Sequence, residues 1–117
     1  MKYMLLMYAK ESSVPSTPES QKAAWPAWNG LQKEMEAAGV LLSTSGLSPV
    51  ANATTVRVRE GKTLTTDGPF AETHEQLGGY FLIEARDLND AIQVAARIPG
   101  ARIGGVEVRP VMDTTRR

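Results

Sequence analysis

Two stretches of the chain carry apolar side chains on both alternating faces. Residues 2–8, Lys2-Tyr3-Met4-Leu5-Leu6-Met7-Tyr8, and residues 80–83, Tyr80-Phe81-Leu82-Ile83, predict strands covered on both sides and therefore central in their sheet. Two others repeat with helical spacing. Ala24, Trp28, Leu31, Met35 and Ala38 lie alternately four and three residues apart, one apolar face of a helix. Thr17-Pro18-Glu19 opens that helix with a hydroxyl cap, a proline in the first turn and an acid at the positive end of the dipole. Pro26 falls inside the pattern and lacks a backbone donor, which predicts a kink or a short helix followed by a longer one. Gly39 is the expected stop. Leu88, Ala91, Ile92, Ala95 and Ile98 make the second stripe. Asp87 with Asp90 resembles a capping box at its start, and Pro99-Gly100 ends it.

The remaining pattern is shorter. Val40-Leu41-Leu42 predicts a brief strand closed by residues 43–49. Thr54-Thr55-Val56-Arg57-Val58-Arg59 alternates, turns at Glu60-Gly61-Lys62 and returns through Thr63-Leu64-Thr65-Thr66, a peripheral hairpin. Gly105-Val106-Glu107-Val108-Arg109 predicts a closing strand, Pro110 limits further pairing, and residues 114–117 read as a frayed tail. Without the hairpin the order is βαββαβ, the ferredoxin-like α+β plan, in which the first and third core strands are central. Two helices cover one face of a four-stranded sheet. The other face, drawn from Tyr3, Leu5 and Met7 or their neighbours and from Tyr80/Leu82 or Phe81/Ile83, needs cover, so a homodimer is expected.

Composition narrows the class. The chain has 117 residues, enough for one domain over residues 1–117, and 42% hydrophobic with 22% charged content is ordinary for a globular protein. Net charge is zero and no basic run exceeds Arg116-Arg117, which argues against a broad nucleic-acid footprint. Without cysteine there is no disulfide, thiol catalysis or thiolate metal site, and the lone His74 cannot build a multi-histidine metal centre. The apolar start is too short to span a membrane and lacks a signal-peptide pattern, so cytoplasmic residence is the expectation. No cofactor motif is present: neither a Gly-rich phosphate loop nor a nucleophile elbow.

Candidate chemistry concentrates in the polar loop of residues 67–77 that feeds the strand at Tyr80. Asp67 is the candidate general base or ligand-binding carboxylate, although Asp before Gly-Pro is also a turn former. Phe70 walls a pocket or plugs the core, with the core favoured. Glu72 and Glu75 are nearby acids, Thr73 can cap a turn, and His74 reads as an exposed histidine despite its neutral-range titration. Trp25 and Trp28 can stack on a flat ligand or pack the core, and Tyr8 at the end of the first strand can add a hydroxyl to the same cleft. Arg57 and Arg59 share one hairpin face and can hold an anion, though a solvated face explains them as well. The ligand-binding set is therefore Tyr8, Trp28, Asp67, Phe70, Glu72 and Thr73.

The run Asp67-Gly68-Pro69-Phe70-Ala71-Glu72-Thr73, followed by Glu75-Gln76-Leu77-Gly78-Gly79-Tyr80, resembles the signature of DGPF-domain proteins within the YCII-related family. Lys2-Tyr3-Met4-Leu5-Leu6, Ala38-Gly39-Val40-Leu41, Thr54-Thr55-Val56-Arg57 and Val106-Glu107-Val108-Arg109-Pro110 extend the resemblance over nearly the whole chain. It implies a dimeric ferredoxin-like α/β barrel with a cleft in each subunit or at the dimer interface, its biochemistry unassigned. Proteins of the wider family carry a His–Asp pair whose histidine lies in a Pro-x-His segment of the first helix. Pro26-Ala27-Trp28 matches that segment, so Trp28 stands in the histidine's place and Asp67 is the half that survives. The resemblance also implies, by association, a setting beside sigma factors. Three readings follow, in order: a small-molecule binding or regulatory dimer, an enzyme of lyase or isomerase type using Asp67 as base, and an interaction module of a sigma factor.

Overall fold

The computed structural model describes residues 1–112, so the expected tail at residues 114–117 lies outside the described residues. The element order is β1 (Lys2–Ala9), α1 (Pro18–Ala37), β2 (Leu41–Gly46), β3 (Thr54–Arg59), β4 (Lys62–Asp67), β5 (Gln76–Glu84), α2 (Leu88–Ala96) and β6 (Gly104–Pro110). Four strands form one antiparallel sheet in the order β2-β5-β1-β6, and β3 pairs with β4 in a separate two-stranded sheet. The arrangement is mixed α+β, consistent with the ferredoxin-like plan, and the sheet is open rather than closed into a barrel. The two strands with apolar residues on both faces, β1 and β5, are the central ones.

The register settles which residues face the helices. Tyr3 sits opposite Ile83 and Leu5 opposite Phe81, and all four are buried in one cluster with Leu31, Met35, Ala91, Ala95 and Ile98. The neighbouring pairs, Met4 with Leu82 and Leu6 with Tyr80, point to the opposite side and are only half-buried. Glu107 and Arg109 of β6 share that side, opposite Leu6 and Met4. Ser43 of β2 also lies there, its hydroxyl 3.0 Å from the Tyr80 hydroxyl.

Helix α1 begins as its sequence dictates. Thr17 and Ser20 form a reciprocal capping box, the Ser20 N–H donating to Thr17 Oγ1 at 3.1 Å and the Thr17 N–H to Ser20 Oγ at 3.0 Å. It runs unbroken through Pro26, so the two-helix alternative is not realised. Packing of Leu31, Met35 and Trp28 on the sheet offsets the local cost of the missing hydrogen bond, about 3 kcal/mol for a proline in a helix interior. The helix ends where Val40 N–H donates to Met35 O and Gly39 N–H to Glu36 O, a Schellman closure that drops Val40 onto the core.

In α2 the cap is Asp87, which accepts from the Asp90 N–H at 2.8 Å. The reciprocal bond comes from the Arg86 N–H to Asp90 Oδ2 at 3.0 Å, one residue earlier than a capping box requires. The helix is shorter than its stripe: Ala91 and Ala95 are buried, Ile98 is buried just beyond the last turn, and Leu88 and Ile92 are exposed.

Candidate functional site

The candidate site is built where β4 ends and the chain returns to the sheet. The expected turn at Asp67-Gly68-Pro69 is present, with Gly68 at φ +108°, a conformation that side chains other than glycine avoid. What holds this turn is the hairpin base and not the Asp67 carboxylate. Gly68 N–H donates to Ala53 O at 2.8 Å, and Thr55 Oγ1 donates to Gly68 O at 2.9 Å. Thr55 is the one buried polar side chain among the described residues, 8% exposed. The alternating pattern marked it as a hairpin residue without revealing this role. The Asp67 carboxylate is exposed and has no hydrogen-bond or ion-pair partner among the described residues.

After the turn the loop folds on itself. Gln76 Nε2 donates to Thr73 O at 2.9 Å and to Ala71 O at 3.4 Å, and Thr73 Oγ1 donates to Glu75 O. Thr73 and Gln76 are thus spent on shaping the loop. Phe70 is 76% exposed, which corrects the core placement favoured from the sequence. Its ring is instead capped by the Arg57 guanidinium, 4.8 Å from the ring centroid, a cation–π contact between hairpin and loop.

Between this loop and the β2–β3 connection lies an open groove of about 540 Å³. Leu47, Ser48, Pro49, Val50 and Asn52 line it from the connection, Pro69, Phe70 and Leu77 from the loop and β5, and Tyr8, Thr73, Glu75 and Gln76 complete it. A second shallow depression of about 590 Å³ adjoins it and is lined by Tyr8, Thr73, His74, Glu75 and Glu107. Tyr8, Thr73 and Glu75 therefore belong to both. The Tyr8 hydroxyl donates to Glu107 Oε1 at 3.4 Å. Glu107 is further engaged by Arg109, whose guanidinium it holds protonated above the usual arginine range through hydrogen bonding and charge. Glu75 is the acid at this junction without a side-chain partner among the described residues.

Of the sequence-derived candidates, Tyr8, Phe70 and Thr73 come together in the groove. Trp28, Asp67 and Glu72 line neither depression. Trp28 packs on the helix-covered side, its ring 6.3 Å from Phe81 and against Gly100. Trp25 is exposed. The position that carries a histidine in the resembled pair thus packs against the core here, and Asp67 closes β4 at the base of the hairpin, opposite Thr54. His74 is exposed, as expected, and joins the second depression. Leu47, Pro49 and Val50 were missed, because a loop wall carries no periodicity to read. No group of three or more His, Cys, Asp or Glu side chains is placed to hold a metal among the described residues, and no helix among them is long and apolar enough to cross a membrane.

The sequence model of the YCII-related domain family matches residues 1–115. The chain is also similar to an uncharacterized protein of Rhizobium meliloti (strain 1021), 35% identical over 114 residues that cover 95% of this chain and 92% of that one.

Proposed function

This chain belongs to the YCII-related domain family, and we propose that it is a binding protein for a small, largely apolar ligand that occupies the groove between Leu47–Val50 and Phe70–Leu77. The observation that carries the reading is the groove itself. Its volume of about 540 Å³ falls in the range of small-molecule sites, its walls are mainly aliphatic and aromatic, and its polar groups are Ser48 and Asn52 on the β2–β3 connection and Tyr8, Thr73, Glu75 and Gln76 about the loop. With Gln76 and Thr73 engaged in the loop, the Tyr8 hydroxyl and the Glu75 carboxylate are the groups at the loop end that can orient a ligand, with Ser48 and Asn52 on the facing connection. A carboxylate accepts and does not donate, so the ligand presents a donor or a cationic nitrogen at that end.

The working unit in this reading is a homodimer. Met4, Leu6, Tyr80 and Leu82 form an apolar strip on the side of the sheet that neither helix covers, and pairing two such sides about a twofold axis gives the ferredoxin-like dimeric barrel. Asp67 as a general base finds no support in this arrangement, since it lines neither depression.

The test is a thermal-shift and ligand-observed NMR screen comparing aromatic amines, aromatic carboxylates and neutral analogues. Amines are expected to raise the melting temperature of the wild type and not of Phe70→Ala or Glu75→Gln. Stabilisation that survives both substitutions, or that favours carboxylates, would overturn the assignment.

A further inference from the structure

The β3–β4 hairpin makes little contact with the other elements of its own chain. Beyond the hydrogen bonds at its base and the Arg57–Phe70 contact, it stands in solvent. An isolated two-stranded hairpin is marginal in water, and this one exposes large apolar side chains. Val56 is 58% and Val58 59% exposed. Register divides its faces by charge. Arg57, Arg59 and Lys62 share one side with Leu64, which leaves the other side to Val56, Val58, Thr63 and Thr65 without any charge until Asp67 at the base. The charged side suits water, and the uncharged one suits a dry contact.

The shape of the chain points the same way. Its Cα radius of gyration is 16.2 Å, against about 13 Å for a compact chain of this length. Its surface of 8496 Å² exceeds the area of about 6,200 Å² that a folded monomer of this mass presents. An excess on the order of 2,000 Å² per chain is more than the roughly 800 Å² that each partner contributes to a standard interface. The apolar strip of the sheet runs from Met4 and Leu82 to the Tyr8–Leu77 pair, and that pair already lines the groove. Leu47, Phe70 and Leu77 remain exposed there.

We propose that the hairpin is an arm that lays its Val56–Val58 face on the groove end of a second copy of this chain, so that each groove is walled by two subunits. The inference rests on the open-face pairing proposed above and adds the arm and the shared groove to it. The occupant is a second copy because the surface seeking cover and the surface able to give it belong to the same chain, and a twofold axis satisfies both at once.

The test uses the full chain, whose lack of cysteine allows single thiols to be placed. Val58→Cys and, on the opposite face, Arg59→Cys are each labelled with a benzophenone maleimide, irradiated and run on denaturing gels, alongside light scattering of the unlabelled protein. The Val58 probe is expected to give a two-chain band several-fold stronger than the Arg59 probe. Its cross-links should map to the partner's residues 3–10, 47–53 or 70–77. A dimeric mass with cross-links confined to one chain, equal from both positions, or directed to the helices would overturn the arm and leave the sheet pairing intact. A monomeric mass would overturn both.

Discussion

The two glycines of the Gly78-Gly79 pair have opposite environments, and substituting each with alanine separates the reasons for them. A Cβ at Gly79 would lie 2.8 Å from the Ser45 carbonyl oxygen, 3.2 Å from Gly46 Cα and 2.8 Å from Met7 Cε. The methionine methyl can swing away, but the Ser45 and Gly46 atoms are backbone of the β2–β5 ladder and move only if the ladder opens by several tenths of an ångström. Overpacking of this kind costs about 1–3 kcal/mol, against which replacement of glycine recovers about 0.4–1 kcal/mol by restricting the unfolded chain. Gly79→Ala is therefore expected to destabilise by about 1–2 kcal/mol. A Cβ at Gly78 meets nothing within 4 Å, and Gly78 is the residue that the β1–β5 register skips. Gly78→Ala is expected to be neutral or to stabilise by up to about 1 kcal/mol. Urea unfolding of both variants against wild type, with unchanged m-values, measures the difference directly. Equal midpoints for the two variants, or a Gly79→Ala protein as stable as wild type, would refute the close-approach argument.

Thr55→Val keeps shape and removes the hydroxyl that holds Gly68 O, so it is expected to cost about 1–2 kcal/mol and to speed proteolysis in residues 67–75 before the core is cut. Leu5→Ala and Ile83→Ala, at two fully buried positions, are each expected to cost about 2–5 kcal/mol in the same unfolding assay. The Asp90 carboxylate is held below its ordinary pKa of 3.8, chiefly by the backbone N–H of Arg86 and then by the Arg86 side chain. Its folded value lies under its unfolded value, so its contribution is complete above about pH 4 and is lost as pH falls through the folded value. The stability difference between wild type and Asp90→Asn is accordingly expected to be flat near neutrality and to shrink on acidification, which a pH series of melting temperatures checks.

How much of this was legible in the chain depended on whether a residue's neighbours were local. The central places of β1 and β5 followed from apolar residues on both faces, and Thr17 and Asp87 from the short range of a cap. The phase of each strand did not follow: Tyr3 and Leu5 face the helices while Met4 and Leu6 do not, and only the packing of α1 and α2 decides that. The strand β5 also begins at Gln76, earlier than expected, because Gly78 and Gly79 lie within the ladder as an irregularity and not before it. At the site, Tyr8 and Thr73 were legible as polar groups near the loop. Phe70 was misplaced because aromatic size argues for the core, whereas the hairpin offers Arg57 as a partner for its exposed ring. Trp28 was drawn toward the cleft by its place beside a matched motif, but its helix faces the other side of the sheet.

The slender attachment of the hairpin has one more consequence. A segment closed at its root by the Gly68–Ala53 and Thr55–Gly68 bonds, and held otherwise by its own ladder, can open without disturbing the Leu5–Ile83 centre of the molecule. Backbone amides in β3 and β4 are therefore expected to exchange with solvent through a local fluctuation whose free energy lies below that of global unfolding. In the proposed shared-groove reading the arm draws on that smaller quantity, so the stability of the whole fold and the hold of the arm on a partner can drift independently.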